Sequence, residues 1–251
     1  MDPNVGRKVV AALRAGQDDT VFEIGPGFGA ITFGIVAAAG RVVAIEYDSG
    51  IVRAFREEYG EVDGLELIEG DALEFDLRRA ALARGARRVI VAGNIPYGMT
   101  SPLLRVLIEN RDVVTRSVLM VQREVAERLA AGPGAGASAL TSVVAFHATV
   151  SALFPVRRTC FHPRPDVDST VIEVDFEGAV ERRADPGLYS DVVHAAFASR
   201  RKMLRGTLSE LAVRRGVTVG DVERRSGIDL TRRGETLSVE EFEALALALS
   251  P

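Results

Sequence analysis

The chain has 251 residues, 47% of them hydrophobic and 26% charged, with a formal net charge of -4. This is the composition of a globular protein with room for one large domain and a small one, and it excludes the strongly basic profile of a dedicated nucleic-acid binder. No apolar run approaches the roughly 20 residues that span a bilayer, Met1-Asp2-Pro3-Asn4 has neither the basic nor the apolar region of a signal peptide, and the single Cys160 provides no disulfide and no Cys/His zinc pattern. A cytoplasmic protein without a metal is expected.

Val5, Val9, Val10 and Leu13 share one side of a helix over 4–15, ended by Gly16. Residues 20–24 read as a strand that runs into Gly25-Pro26-Gly27-Phe28-Gly29 and then a helix over 30–39. Strand, glycine loop and helix open a nucleotide-binding α/β unit. Glycines let a ligand approach the backbone and accept positive φ. The spacing Glu23-x-Gly25-x-Gly27-x-Gly29 is not the dinucleotide pattern G-x-G-x-x-G. An acid just before the loop repels a pyrophosphate and attracts an ammonium or sulfonium group. That favours S-adenosylmethionine over NAD, although the loop taken alone also reads as a plain glycine turn.

A second strand over 41–45 is closed by Glu46, 23 positions after Glu23. This is near the offset of roughly 20 residues at which an acid meets ribose hydroxyls. The other reading of Glu46 is a helix cap, a role that Asp48 fits better ahead of a helix over 51–59. A third strand, 65–69, precedes Gly70-Asp71-Ala72. Asp71 either accepts from an adenine amino group or makes a turn after Gly70. It gains weight as the third acid at consecutive strand ends. A helix is expected over 77–83.

The fourth strand, 89–93, is apolar and ends at Asn94-Ile95-Pro96-Tyr97. Open α/β sheets place ligand chemistry at such strand ends. The Asn94 carbonyl can accept from an exocyclic amine, and the Tyr97 ring can stack on a base. Asn and Pro are also ordinary turn residues. Ser101 and Pro102 suggest an N-cap and first position for a helix over 101–110. A strand over 117–122 and a mixed-charge helix over 123–131 follow. Residues 132–136 read as a surface linker, and 140–148 as a buried helix with His147 a satisfied histidine. Strands over 150–156 and 170–176 bracket a Pro-stiffened loop. Its Phe161 either walls a base pocket opposite Tyr97 or packs in the core, the commoner outcome. Residues 177–186 read as a linker between domains over 1–178 and 186–251.

Beyond it, helices are expected over 188–207, 208–215, 219–225 and 238–249, the last opened by a capping box at Ser238-Val239-Glu240-Glu241. Between Phe197 and Arg233 there are ten Lys/Arg against four Asp/Glu. Arg200, Arg201, Lys202 and Arg205 would lie within one and a half turns of a helix, without nearby acids. A solvated face is the usual meaning of such a run; this one leans towards phosphate contact.

Together these segments resemble the small-subunit (16S) ribosomal RNA adenine N6-dimethyltransferase family, KsgA type, over nearly the whole chain. The resemblance rests on Val21-Phe22-Glu23-Ile24-Gly25-Pro26-Gly27, Ile45-Glu46, Gly70-Asp71-Ala72 and Gly93-Asn94-Ile95-Pro96-Tyr97. It continues through residues 122–128, Phe161-His162-Pro163-Arg164-Pro165-Asp166-Val167-Asp168-Ser169, Phe197-Ala198-Ser199-Arg200-Arg201-Lys202 and Arg233-Gly234-Glu235-x-Leu237-Ser238. Two departures stand out. The family usually carries a Gln-x-Phe-Leu segment that helps close the cofactor and RNA site. Here Met1-Asp2-Pro3-Asn4-Val5 stands at that point, which implies a shortened start. The family's Tyr-Gly pair is replaced by Ala137-Ser138 before Leu140.

The resemblance implies an α/β fold, a class I (Rossmann-like) S-adenosylmethionine-dependent methyltransferase sheet with a small C-terminal all-helical domain. It implies dimethylation of two adjacent adenines near the 3′ end of small-subunit rRNA by a monomer acting on the immature subunit. Glu23, Gly25 and Gly27 would serve the methionine end of the cofactor, Glu46 its ribose, and Asp71 with Ala72 its adenine. Asn94 and the carbonyl of Ile95 or Pro96 would orient the amine, Tyr97 and Phe161 would stack on the base, and Arg200 to Arg205 would hold rRNA. The related large-subunit resistance methyltransferases and a mainly non-catalytic assembly factor are the alternative readings.

Overall fold

Strands that are apolar along their whole length can only sit inside a sheet covered on both faces, and such strands organise the larger part of the chain. The computed structural model describes residues 1–134, 137–199 and 201–250, with the backbone alone at Tyr97. In chain order the elements are α1 (Pro3–Leu13), β1 (Thr20–Ile24), α2 (Thr32–Ala38), β2 (Arg41–Glu46), α3 (Ser49–Tyr59), β3 (Leu65–Glu69), α4 (Leu77–Ala83) and β4 (Val89–Asn94). Then come α5 (Thr100–Glu109), β5 (Val114–Gln122), α6 (Arg123–Ala131), α7 (Ala139–His147), β6 (Thr149–Val156) and β7 (Ser169–Asp175). The C-terminal helices are α8 (Pro186–Phe197), α9 (Leu204–Thr207), α10 (Ser209–Arg214), α11 (Val219–Ser226) and α12 (Val239–Ala248).

The strands form one sheet in the order β3-β2-β1-β4-β5-β7-β6. β1 to β5 pair in parallel, and β7 runs antiparallel to β5. This is the expected α/β class I, Rossmann-like sheet, with a helical C-terminal part. All five residues of β1 are buried, as its place inside the sheet requires. Register brings Ile24 beside Ile45 and Gly93, Glu46 beside Glu69, and Asn94 beside Met120. The ends of β1 to β4 therefore lie along one edge.

The chain divides into two compact units, Met1–Glu127 with Val150–Glu177, and Arg128–Thr149 with Gly178–Pro251. In the first, Val9, Leu13, Ile31 and Ile35 of the first two helices and the turn before α2 cover Val21, Val42, Ile90 and Val118 of the sheet. Asp2 caps α1 by accepting from Asn4 N at 2.7 Å, and Arg14 ends it in a left-handed conformation. Arg116 then donates to Leu13 O at 2.7 Å, tying the helix end to β5.

In the second unit, the rings of Phe146 and Tyr189 stack with centroids 3.9 Å apart, and Tyr189 Oη donates to Ser142 O at 3.0 Å. Arg182 pairs with Glu240 at 3.1 Å and lies over the Phe146 ring. α7 thus shares a core with helices far along the chain, and Phe242 and Leu245 of α12 complete it.

Two sequence expectations are corrected. Ser101 is not an N-cap: a 3-10 turn over Tyr97–Met99 leads directly into Thr100, so Ser101 and Pro102 lie in the first helical turn. Pro is tolerated there because that turn's N–H groups have no helical acceptor. The helix expected over 188–207 stops at Phe197 and resumes at Leu204. Leu204 N donates to Arg232 O at 2.8 Å and Arg205 N to Leu230 O at 2.9 Å. These long-range bonds tie the start of α9 to the segment around 230–232. In the loop expected over 132–136, residues 135 and 136 lie outside the described residues.

The Tyr189 hydroxyl is buried and donates a single hydrogen bond in this second core. Tyr189→Phe is expected to cost about 1 kcal/mol, seen as a lower urea midpoint with the far-ultraviolet spectrum unchanged before unfolding.

Candidate active site

The glycine loop after β1 is shaped by its backbone. Gly25 and Gly27 have φ of 65° and 57°, a region that side chains with a Cβ rarely occupy. A Cβ at either position would meet no atom within 4 Å, so the loop borders open space that a ligand can fill. Gly25 N donates to Ile45 O at 2.9 Å, anchoring the start of the loop to β2.

Glu46 makes the second anchor. Its Oε2 accepts from Gly27 N at 3.1 Å and its Oε1 from Asp48 N at 3.0 Å. This contact was not foreseen in the sequence, where Glu46 read as a ribose acid or a cap. A carboxylate has about four lone-pair sites, so hydroxyls can still be accepted. Capping of α3 falls to Asp48 as expected, through Gly50 N at 2.7 Å and Ile51 N at 3.0 Å.

Glu23 is 1% exposed. Its register neighbours are Ala44 and Ala92, the smallest side chains with a Cβ. Glu23 Oε2 and the hydroxyl of Thr32 are both buried without a hydrogen-bonding partner. Burial pushes the Glu23 carboxyl up to about 7; the nearby Thr32 hydroxyl opposes the rise in part, and the Glu46 charge adds to it.

At the next strand end Gly70 N donates to Glu46 O at 2.9 Å. Asp71 Oδ1 accepts from Leu73 N at 2.8 Å, so the turn role is realised, and Ala72 beside it is buried. On the other side of β1, Asn94 is exposed at the end of β4. Ile95 N donates to Met120 O at 3.1 Å, and Ile95 is buried. Pro96 O accepts from Met99 N at 2.8 Å. Gly93 has no room for a side chain: a Cβ there would lie 2.9 Å from Ile24 O and 2.6 Å from Ile95 Cδ1. The missing side chain lets β4 lie against β1 where Asn94 begins.

The Tyr97 side chain lies outside the described residues. Phe161 is half-buried and packs on the core beneath α1 and α2. Arg200 also lies outside the described residues, while Arg201 and Lys202 are exposed in the bend before α9. Arg205 is in α9 with Glu223 3.6 Å away. The basic residues therefore do not share one helix, and Arg205 has an acid beside it. Two aromatic residues escaped the sequence reading: Tyr47, 77% exposed, and Phe28, 68% exposed. Their signal was position, immediately after Glu46 and inside the glycine loop. Among the described residues no three His, Cys, Asp or Glu side chains group as a metal site.

Comparison with known proteins gives a consistent family. The model for the family described as ribosomal RNA adenine dimethylase matches residues 1–245. Ribosomal RNA small subunit methyltransferase A of Geobacter sulfurreducens is 40% identical over 99% of this chain and 91% of its own length. The protein of the same name from Pseudomonas aeruginosa is 36% identical over 99% and 91%. Among solved structures, a dimethyladenosine transferase from Plasmodium falciparum superposes with a TM-score of 0.79 at 24% identity, covering 98% of this chain and 95% of that one. The 23S rRNA methyltransferase ErmE superposes with a TM-score of 0.73 at 21% identity, covering 99% and 98%. These two show a shared fold.

Glu46→Ala removes both anchors at once, and is expected to weaken S-adenosylhomocysteine binding by about tenfold or more, read by titration calorimetry, with the helical content retained. Glu23 favours the folded state in its neutral form, so its contribution to stability is present below its ordinary value near 4.5 and is lost as pH rises through about 7. The cofactor-free protein is expected to have a lower melting temperature at pH 8 than at pH 5.5 through this group, a difference that shrinks in Glu23→Gln.

Proposed function

The chain belongs to the ribosomal RNA adenine dimethylase family, and from that premise we propose that it dimethylates the N6 amino groups of two adjacent adenines near the 3′ end of small-subunit rRNA. The observation that carries this reading is the row of polar residues at the aligned ends of β1 to β4, with Asp71, Glu46, Glu23 and Asn94 in that spatial order. Three strand spacings separate its ends, roughly 14 Å. S-adenosylmethionine is the cofactor, and the open glycine loop and the unpartnered oxygen of Glu23 fit a ligand with a cationic amino-acid end.

Asp71 would receive the adenine of the cofactor, Glu46 the ribose hydroxyls and Glu23 the methionine end. The exposed Tyr47 ring, next to Glu46, would cover a face of that adenine. When bound, the cofactor would supply a sulfonium methyl group for transfer to N6 of the target adenine, with the sulfur leaving as the neutral thioether. Asn94 and the carbonyl of Ile95 or Pro96 accept from the N6 hydrogens. They draw the nitrogen towards a tetrahedral arrangement, freeing a lone pair otherwise delocalised in the ring. Fixed acceptors at this point stabilise the charge that develops on nitrogen. The N6 proton leaves to water. Tyr97 and Phe161 would stack on the flipped base, Phe161 from its half-buried place on the core.

The helical unit would hold rRNA through phosphates and shape. Main-chain bonds tie Leu204 and Arg205 to Arg232 and Leu230, and the exposed Arg201, Lys202, Arg205 and Arg233 lie within a few residues of that junction along the chain. Arg200, next to Arg201 in sequence, would also serve rRNA phosphates. The working partner is the immature small subunit, met by a monomer in the cytoplasm. No helix among the described residues is long and apolar enough to cross a membrane.

The test is mass spectrometry of rRNA from purified ribosomal subunits after incubation with the protein and labelled S-adenosylmethionine. Two methyl groups on each of two neighbouring adenines of the small-subunit rRNA are expected. Asn94→Ala should lower the rate about a hundredfold or more while S-adenosylhomocysteine still binds. Methylation confined to large-subunit rRNA, or none at all by the unaltered protein, overturns the proposal.

A further inference from the structure

Glu23 poses an electrostatic problem that the cofactor-free protein leaves unsolved. A carboxylate buried without a cation or a full set of donors is expensive, and the usual outcome is that it keeps its proton. Among the described residues, the strands and helices neighbouring β1 offer Glu23 no cation. Its own strand, β1, has no other titratable residue, and neither do α2 and β4. β2 brings Glu46, a like charge, near the site, and its Arg41 lies at the far end of the strand, in register with Thr20. On α1, Arg7 and Lys8 are exposed, and Lys8 lies 5.9 Å from the centre of the Phe154 ring. Burial and the Glu46 charge both favour the neutral acid. Glu23 Oε2 is buried without a hydrogen-bonding partner, and at Gly25, two residues along the chain, a side chain would meet no atom within 4 Å.

We propose that cofactor binding at this site is proton-coupled: Glu23 is a neutral acid in the cofactor-free protein and releases its proton to solvent when the ammonium group of the cofactor's amino-acid end binds. This rests on the cofactor reading given above and adds to it the charge state of the site. The balance is simple. One O–H bond of Glu23 breaks, the proton leaves to buffer, and the carboxylate that remains pairs with the incoming ammonium. The amino-acid end is then recognised by charge as well as by shape, and cofactor loading weakens as pH falls.

Titration calorimetry of the full chain at pH 6 tests this, using buffers of different ionisation enthalpy and two probes. S-adenosylhomocysteine carries the ammonium group, and 5′-methylthioadenosine lacks the amino-acid end. With a carboxyl near 7, about 0.9 proton should be released per S-adenosylhomocysteine bound at pH 6, and none with methylthioadenosine. Affinity for S-adenosylhomocysteine should be about fivefold weaker at pH 6 than at pH 7. In Glu23→Gln the proton release and this pH dependence should disappear. The buffer comparison on the unaltered protein stands even where the variant does not fold. Binding of S-adenosylhomocysteine without proton release, or equal release with both probes, overturns the proposal and leaves the cofactor reading intact. Binding of neither probe overturns the cofactor reading itself.

Discussion

The carboxylate of Glu46 is the contact on which the site depends. It stands at the end of β2 and receives two backbone N–H groups, one from the middle of the glycine loop and one from the turn that opens α3. A glycine loop is floppy by composition, because glycine loses more conformational freedom on ordering than any other residue. A charged acceptor at hydrogen-bond distance offsets that cost where it matters, at Gly27. The same residue's main-chain oxygen accepts from Gly70, so the turn carrying Asp71 is fixed to it as well. One residue therefore sets the positions of three successive loops along the ligand edge.

Behind this edge the constraint is close packing of parallel strands. β1 lies between β2 and β4, and whatever its side chains do must be tolerated by both neighbours. Ala44 and Ala92 leave space beside Glu23, and Gly93 lets the end of β4 approach Ile24. The small residues are thus placed where polar chemistry needs room, while Val21, Val42 and Ile90 earlier in the same strands bury apolar surface against α1 and α2. Strand interiors bury apolar surface, and strand ends carry the polar residues.

The helical unit solves a different problem, holding a basic surface on a small apolar core. Tyr189, Phe146 and Phe242 provide the aromatic mass, and Arg182 bridges two glutamates of α12 beside it. The start of α9 is tied by main-chain bonds to residues near 230. Arg201 and Lys202 are exposed on a bend rather than along a helix face.

Much of this was legible in the sequence because the signals are local. Continuous apolar runs gave the buried strands, glycines requiring positive φ marked the loop at Gly25 and Gly27, and Asp48 and Ser238 announced the caps that the structure forms. The family followed from short motifs at strand ends, and the comparisons agree with it. Other features depended on residues distant in the chain. Where α9 starts, after the break at Phe197, the chain is bonded to Leu230 and Arg232, and α7 is sorted with the C-terminal helices because Phe146 stacks on Tyr189. Periodicity contains neither fact. The sequence by itself determined which polar residues would stand at the strand ends, because strand ends and loop glycines are specified by neighbours along the chain. Only the tertiary structure decided that Glu46 would hold the loop and that Glu23 would be buried without a cation, because both depend on what the sheet brings alongside.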